Sequence, residues 1–241
     1  MLQKDNIKAL VFDYGGTIDT NGLHWAEVIW RAYQALEIPI GRECFREAYV
    51  QGERALGSHP LVEPRHNFWH VLRLKAEAQM QWLQADGHLS AEAPVARYVS
   101  GIADWCYAYA QSAVNAARPV LKDLSAQYPM VLVSNFYGNL HTVLADFHLD
   151  GFFRALVESA AVGVRKPDPA IFRLGVEKAG FPAAVVAVVG DSYDKDILPA
   201  RSLGCQTIWL KKAGWMPFRG DETAEAVIND FAELRPLLLG A

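Results

Sequence analysis

The sequence predicts an α/β fold, a doubly wound parallel sheet with an all-helical domain inserted after the first strand. Three observations lead to this prediction. Short apolar runs end in polar residues at positions 13, 134 and 191, helical stripes alternate with such runs in the second half of the chain, and residues 21–115 show helical spacing only. Continuous apolar runs are typical of strands that are buried on both faces, as in a parallel sheet covered by helices.

The composition is that of a folded globular protein. The chain has 241 residues, of which 51% are hydrophobic and 21% charged, and its net charge is −4 without a basic block. This balance argues against a nucleic-acid or anionic-membrane binder. No apolar stretch approaches the ~18 residues of a membrane span, and the N-terminus lacks the features of a signal peptide. We therefore expect a cytoplasmic protein with no nucleic-acid or membrane partner, its three cysteines reduced.

The first strand is predicted at residues 9–12, and an inserted helical block follows it. Apolar stripes at helical spacing begin at Leu23, Phe45, Phe68 and Val95, and predict four helices separated by breaks at residues 38–41, 57–60 and 86–87. Ser90 is the expected N-cap of the fourth helix. We assign the block to residues 21–115, the rest of the fold to residues 1–20 and 116–241, and the linkers to residues near 20–22 and 115–119.

Beyond Pro119 the pattern changes to strands that alternate with helices. Because a proline usually ends a helix, a separate short helix with Val120, Leu121 and Leu124 is expected directly after it. Strands are then predicted at residues 129–135, 155–159, 185–191, 207–210 and 227–228, and helices at residues 140–147, 171–176, 197–203 and 231–239. Right-handed crossovers would bring the carboxyl ends of these strands to one edge of a Rossmann-like sheet.

Polar residues stand where three of the predicted strands end. They are Asp13, the pair Ser134 and Asn135, and Asp191, while Lys166 lies in a loop within reach of the same edge. Open parallel sheets bind ligands beyond the carboxyl ends of their strands. Carboxylates, a hydroxyl and an ammonium group suit a hard cation such as Mg²⁺ together with a phosphate group.

Four segments resemble the ordered motifs of the haloacid dehalogenase-like hydrolase superfamily. They read FDYGGT at 12–17, VLVSN at 131–135, RKPDPAIF at 165–172 and VGDSYDKDI at 189–197. Their order and spacing fit that superfamily along the whole chain, and the inserted block resembles its helical cap. The resemblance implies a Mg²⁺-dependent hydrolase of a small phosphorylated metabolite. The sequence leaves open whether the chain is a monomer or a homodimer.

The resemblance also implies a role for each matching residue at the metal. Asp13 matches the nucleophile, whose carboxylate attacks phosphorus and forms an aspartyl-phosphate intermediate. The carboxylates of Asp13 and Asp191 and the backbone carbonyl of Gly15 match the ligands of Mg²⁺, which stabilises charge on the transferring group.

Further matching residues are implied to bind the phosphate or to support the site. Ser134 would donate a hydrogen bond to a phosphoryl oxygen, and the Lys166 ammonium would neutralise the nucleophile and the phosphate. Asp196 matches an acidic position that orients either the metal's waters or Lys166. Substrate contacts are expected from Asn135, Tyr14 and Thr17, and Tyr137 is expected near the pocket.

Gly15 departs from the pattern of the family's phosphatases. These enzymes carry an aspartate two residues after the nucleophile, where it protonates the leaving oxygen and then activates water. Such positioned acid–base catalysis is typically worth about 10²–10⁴-fold. The sequence therefore leaves open a low-activity or non-catalytic member that binds a phosphorylated ligand or a partner, and also a substitute acid at Asp19, His24 or His66.

Two other branches of the superfamily replace the same aspartate. Phosphonate-cleaving enzymes have alanine there and a Schiff-base lysine in the cap, and dehalogenases have tyrosine there and no metal. Glycine is closer in size to alanine than to tyrosine. The candidate for the cap lysine is Lys75, which we expect instead to be a solvated charge on its helix.

Overall fold

The six strands of the sheet confirm the predicted α/β fold. In the computed structural model, which describes residues 1–58, 61–212 and 223–240, all strands of this sheet are parallel, in the order β3-β2-β1-β4-β5-β6. The strands are β1 (Ala9–Phe12), β2 (Met130–Ser134), β3 (Ala155–Glu158), β4 (Val186–Gly190), β5 (Gln206–Leu210) and β6 (Ala226–Ile228). Since β1 lies between β2 and β4, the residues that follow these three strands meet at one edge.

Among the described residues, α-helices follow every strand except β5. Four of them follow β1 and form the helical block: α1 (Trp25–Ala35), α2 (Arg42–Ser58), α3 (Phe68–Ala85) and α4 (Val95–Ser125). The others are α5 (Leu140–Asp146), α6 (Ser159–Val162), α7 (Pro169–Ala179), α8 (Leu198–Ser202) and α9 (Leu234–Leu239). The first and third breaks between the block helices agree with the prediction. The second is partly wrong, because residues 57 and 58 still belong to α2, and its residues 59 and 60 lie outside the described residues.

Alternate residues of β1 pack on opposite faces of the sheet. Leu10 and Phe12 belong to the core that includes the block helices, whereas Ala9 and Val11 pack with residues of α7 and α8 on the other face. Helix α7 approaches closely, because a Cβ at Gly175 would lie 2.6 Å from a methyl group of Val133. Both faces of the sheet are thus covered, as the continuous apolar runs predicted.

Helix α4 corrects two sequence predictions. The expected break at Pro119 is wrong, since one helix continues through it to Ser125. Its buried face runs on without interruption across the proline, and this packing outweighs the lost backbone hydrogen bond. The expected N-cap at Ser90 is also wrong, because the helix begins only after Pro94. The residue before a proline disfavours helical backbone, so the helix cannot start earlier.

The helical block and the sheet share α4. It packs against α1 and α3 within the block and against α9 near the sheet. The division at residues 115 and 116 stays a prediction, and in the structure it falls inside this helix. No helix among the described residues is both long and apolar enough to cross a membrane.

Candidate active site

Asp13 lies at the carboxyl end of the central strand. Its backbone N–H donates to the carbonyl of Val189 at 2.9 Å, which continues the β1–β4 pairing by one residue. Its side chain is 7% exposed and faces the edge at which β1, β2 and β4 end. A carboxylate so removed from water needs a partner that compensates its charge.

Lys166 supplies that charge. Its ammonium donates to Asp13 Oδ1 at 2.5 Å and to Asp196 Oδ1 at 2.7 Å. Burial opposes the charged form, but the two carboxylates outweigh this cost and raise the pKa of Lys166 above its ordinary value. The side chain of Asn135 holds the lysine in place, because it accepts from the Lys166 N–H at 2.8 Å and donates to the Lys166 carbonyl at 3.1 Å.

Thr17 joins the carboxylates of the first and fourth motifs. Its hydroxyl lies 2.9 Å from Asp13 Oδ2 and 2.9 Å from Asp191 Oδ1, and it accepts from the Asp191 backbone N–H at 3.1 Å. The side chain is fully buried and takes no part in lining the cavity. The expected substrate contact of Thr17 stays a prediction, and in the structure its hydroxyl bridges the two carboxylates.

Three acidic side chains form a cluster that suits a hard cation. Asp13, Asp191 and Asp196 each offer a carboxylate oxygen, and these oxygens lie within 4.8 Å of one another. Burial and the charges of the two neighbours raise the pKa of Asp191 well above its ordinary value. Burial likewise raises the pKa of Asp196 to about 6. Oxygen ligands at this spacing match the preference of Mg²⁺.

Asp196 is engaged on both sides. Besides the contact with Lys166, its Oδ2 accepts from the Ser192 N–H at 3.0 Å. The resemblance implied that Asp196 orients either the metal's waters or Lys166. The hydrogen bonds of this carboxylate match the second role, because one of them is to the Lys166 ammonium.

Gly15 and Gly16, in the loop after Asp13, differ in whether a side chain would fit at their positions. Gly16 has φ +99°, and a Cβ there would lie 2.6 Å from the Asp191 carboxylate, so a side chain cannot replace it without displacing that carboxylate. A Cβ at Gly15 would have no heavy atom within 4 Å. The absence of an aspartate at Gly15 is thus not forced by crowding.

A cavity of about 610 Å³ opens beyond the strand ends, between the sheet edge and the helical block. Asp13, Gly15, Ser134 and Lys166 line it on the sheet side. Tyr137 lines it as expected. The side chain of Tyr14 does not, because it is fully buried with its ring centroid 5.9 Å from that of Phe136. Its expected substrate contact stays a prediction, and in the structure the ring packs in the core.

The three candidate substitute acids occupy different places. Asp19 lines the cavity, and its carboxylate accepts from the Gly16 N–H at 2.7 Å and from the Trp25 indole N–H at 3.0 Å. Burial raises the pKa of Asp19 to about 8. His24 also lines the cavity, but burial lowers its pKa to about 4. The ring of His66 stacks on that of His70 away from the cavity lining.

Lys75 is not the solvated charge that we expected from its helix. Its side chain is 12% exposed, lines the cavity and pairs with Glu53 at 2.7 Å. The signal was present in the sequence, because Lys75 shares the helical face of Phe68, Leu72 and Gln79, which are all buried. Glu53 carried a comparable signal, because it shares the helical face of the buried Tyr49 and Leu56, but sequence reasoning missed it.

The geometry agrees with the comparisons to known proteins. A family model described as haloacid dehalogenase-like hydrolase matches residues 7–204. The chain belongs to the haloacid dehalogenase-like hydrolase family. Its matched region includes all four motifs that build the site, and the hydrolase family therefore accounts for the acidic cluster, Lys166 and the parallel sheet together.

Relatives of this family member include hydrolases named as phosphatases. The chain is 38% identical over 103 residues to haloacid dehalogenase-like hydrolase domain-containing protein 3 of Danio rerio, which covers 43% of each chain. It is 35% identical over 83 residues to glyceraldehyde 3-phosphate phosphatase of Methanocaldococcus jannaschii, covering 34% of this chain and 36% of that one. These two alignments span less than half of each relative. The chain is also 26% identical over 215 residues to glyceraldehyde 3-phosphate phosphatase of Pyrococcus abyssi, which covers 85% of this chain and 82% of that one.

Solved structures of haloacid dehalogenase-like proteins share the fold over nearly the whole chain. A dehalogenase crystallised with an intermediate complex has a TM-score of 0.64 at 22% identity and covers 99% of both chains. A phosphatase of the family from Thermococcus onnurineus has a TM-score of 0.51 at 22% identity and covers 97% of this chain and 99% of that one. At these identities the likeness concerns the fold alone.

Proposed function

We propose that this family member is a phosphatase-type hydrolase that acts on a small phosphorylated metabolite through an aspartyl-phosphate intermediate on Asp13. The observation that carries the proposal is the buried contact of Asp13 with Lys166, beside Asp191 and in the lining of the cavity. The names of the phosphatase relatives support the same class of reaction.

The residues present suit a Mg²⁺ ion as cofactor. Asp13, Asp191 and the backbone carbonyl of Gly15 would hold the ion, and Asp196 stands beside them. When bound, Mg²⁺ would screen the repulsion between the nucleophile and the phosphate and stabilise charge on the transferring group. The oxygen-rich, buried cluster of like charges is the feature of this chain that supports the assignment.

The chemistry of the chain's own groups follows from their positions. An oxygen of Asp13 attacks phosphorus, the bond from phosphorus to the ester oxygen breaks, and the substrate's oxygen leaves with the electron pair. Lys166 offsets the charge of Asp13 and of the phosphate, and the Ser134 hydroxyl donates to a phosphoryl oxygen. Water then attacks the phosphorus of the aspartyl phosphate, which releases inorganic phosphate and restores the carboxylate.

Gly15 decides which leaving groups depart readily. Without a carboxyl group at this position, the leaving oxygen departs as an anion and takes its proton from solvent. We therefore propose that acyl and aryl phosphates, whose leaving oxygens are already acidic, turn over faster than alkyl phosphates.

The test is phosphate release from acetyl phosphate, p-nitrophenyl phosphate and glycerol 3-phosphate with Mg²⁺ present. Asp13→Asn should abolish release from all three substrates, whereas Glu177→Gln, which changes an exposed carboxylate of α7 outside the cavity lining, should leave it near the wild-type rate. Unchanged release in the Asp13→Asn protein would show that the nucleophile is assigned wrongly.

The missing carboxyl group at Gly15 also favours a second candidate function, ligand binding without turnover. In this alternative the chain binds a phosphorylated ligand or a partner and turns it over negligibly. Binding of glycerol 3-phosphate without release of phosphate from any of the three substrates would select this alternative, and rapid release from acetyl phosphate would exclude it.

A further inference from the structure

A partly buried ion pair forms part of the cavity wall on the side of the helical block. Glu53 of α2 and Lys75 of α3 meet with an Oε1 to Nζ distance of 2.7 Å, and their side chains are 34% and 12% exposed. The Tyr137 hydroxyl donates to the other oxygen, Glu53 Oε2, at 3.2 Å. The Lys75 ammonium also lies 5.3 Å from the centroid of the Tyr137 ring. All three residues line the cavity.

Both members of this pair carry their charge at neutral pH. Burial disfavours the charged form of Lys75, but Glu53, Tyr137 and Tyr49 outweigh that cost and raise the pKa of Lys75 well above its ordinary value. For Glu53, burial is likewise outweighed by Lys75, and the pKa of Glu53 is lowered. The pair thus offers hydrogen-bond donors and acceptors side by side, with a net charge of zero.

Apolar side chains line the cavity together with the pair. Leu56, Val62, Phe68, Val71 and Leu72 share the same lining. The lining also contains Lys166, which pairs with Asp13 and Asp196. Two more cations in it, Arg165 and Lys195, are exposed, so water screens them more than it screens Lys75. In such surroundings a charge that approaches one member of the pair also meets the like charge of the other.

We propose that Glu53 and Lys75 determine specificity by selecting a substrate whose body, beyond the phosphate, is neutral and bears hydroxyl or carbonyl groups. A hydroxyl accepts from the Lys75 ammonium and donates to the Glu53 carboxylate, so both members keep their partners. A carboxylate or a second phosphate is attracted by Lys75 but repelled by Glu53 at nearly the same distance. This inference rests on the proposed function only in taking a phosphorylated small molecule as the ligand.

The experiment compares the binding of two matched probes, glycerol 3-phosphate and 3-phosphoglycerate. The probes share a carbon chain and a phosphate, and they differ in a neutral CH₂OH group against a carboxylate. Titration calorimetry uses the full chain with Asp13→Asn and Mg²⁺, because the probes are not consumed without the nucleophile. We expect glycerol 3-phosphate to bind at least about tenfold more tightly, since like charges at close range are strongly disfavoured.

Two variants in the same background should move this ratio in opposite directions. Glu53→Gln leaves Lys75 uncompensated and should shift the ratio about tenfold toward 3-phosphoglycerate. Lys75→Met leaves the negative charge of Glu53 and should shift it toward glycerol 3-phosphate. Glu77→Gln is the matched control, because it neutralises a carboxylate of α3 that pairs with Arg73 away from the cavity lining. If Glu53 and Lys75 had only a structural role, the variants would weaken the binding of both probes equally.

Three results would overturn the inference: a preference for 3-phosphoglycerate in the Asp13→Asn protein, a ratio that neither variant moves, or no binding of either probe. Phosphate release by the wild-type protein is measured separately. The expected probe ratio without phosphate release would leave the specificity inference standing and refute the proposed hydrolysis, so the two failures are distinguishable.

Discussion

Gly15 is the residue at which a single side chain should change the rate most. Because a Cβ there meets no heavy atom within 4 Å, Gly15→Asp should fold and place a carboxyl group beside the nucleophile. We expect kcat for glycerol 3-phosphate to rise by about 10²-fold or more, the lower end of what positioned acid–base catalysis supplies. The measurement is steady-state phosphate release with Mg²⁺.

The Gly15→Asn variant tests whether Gly15→Asp acts by proton transfer or only by the size of its side chain. It has nearly the same size as aspartate but no acidic proton, and it should leave kcat near the wild-type value. An equal gain in the two variants would show that Gly15→Asp acts by some means other than proton transfer.

Lys166 should contribute to stability as well as to chemistry. Lys166→Met removes the partner of two buried carboxylates, Asp13 and Asp196. We expect the free energy of unfolding to fall by about 3–5 kcal/mol at pH 7 in the presence of a chelator, the usual cost of an uncompensated buried charge. Urea unfolding measures it, with Lys178→Met, an exposed lysine of α7, as a control that should stay within about 0.5 kcal/mol. Equal losses in both variants would contradict the prediction.

At the residue scale, the sequence predicts the site residues that directly follow the apolar runs of the strands. Asp13, Lys166 and Asp191 were expected together at one edge, and the structure brings them together. It did not predict that Thr17 would bridge two carboxylates, because a hydroxyl after two glycines has many local partners. Nor did it predict the pair of Glu53 with Lys75, since pairing between two helices depends on their packing rather than on spacing along either one.

Among the elements, α7 is held closest to the sheet. Gly175→Ala would improve helix propensity, but its methyl group would lie 2.6 Å from Val133. We expect the free energy of unfolding to fall by about 1–3 kcal/mol, because overpacking outweighs propensity in a tight interface. Gly57→Ala in α2 has no heavy atom within 4 Å of the new Cβ, and it should be neutral or stabilising by up to about 1 kcal/mol. A stabilised Gly175→Ala protein in urea unfolding would refute this packing argument.

Helix α1 should make stability depend on pH through its N-cap. The His24 ring accepts from the Ala26 N–H, and burial, followed by the charge of Lys195, lowers the pKa of His24 to about 4. Between pH 6.5 and 4 the unfolded chain therefore binds a proton that the folded chain does not, and the free energy of unfolding falls as the pH falls.

His24→Asn keeps a good capping side chain and removes this titration. We expect the variant to lose less stability than the wild type between pH 7 and pH 4.5, as measured by urea unfolding at both values. The same loss in both proteins would mean that the ring titrates normally in the folded state.

Helix α4 shows why element boundaries were harder to predict than element types. The strand at Ala9–Phe12 and the three block helices before α4 were found where apolar spacing and breaks placed them. Pro119 was taken as a break, because local chemistry disfavours it inside a helix. The buried face on both sides of it, which includes Val114 and Leu121, is a tertiary constraint that decides the outcome.

For the whole molecule, ion binding should be linked to folding. A Mg²⁺ ion held by Asp13 and Asp191 in the folded state alone should raise the free energy of unfolding by about 2.7 kcal/mol at a concentration of 100 times its Kd. Thermal unfolding with Mg²⁺ and with a chelator at equal ionic strength measures the shift. Asp191→Asn should abolish most of it, and a shift that survives in this variant would place the ion elsewhere.

The overall architecture was predictable because it depends on patterns that local sequence contains. Buried parallel strands read as apolar runs, and crossover rules leave few ways to connect them. The division between the helical block and the sheet depends instead on how long one helix is. The sequence suggested a linker at residues 115–119, whereas α4 crosses these positions without a break.

The continuity of α4 has a consequence for recombination within the family. A helical block exchanged between relatives at residue 115 would be joined in the middle of α4. Each residue added or removed there rotates the following segment of the helix by about 100°. The side chains that contact α9 would then turn away from it. Chimeras of this protein must therefore keep the helical phase at residue 115, or exchange the helical block together with the whole of α4.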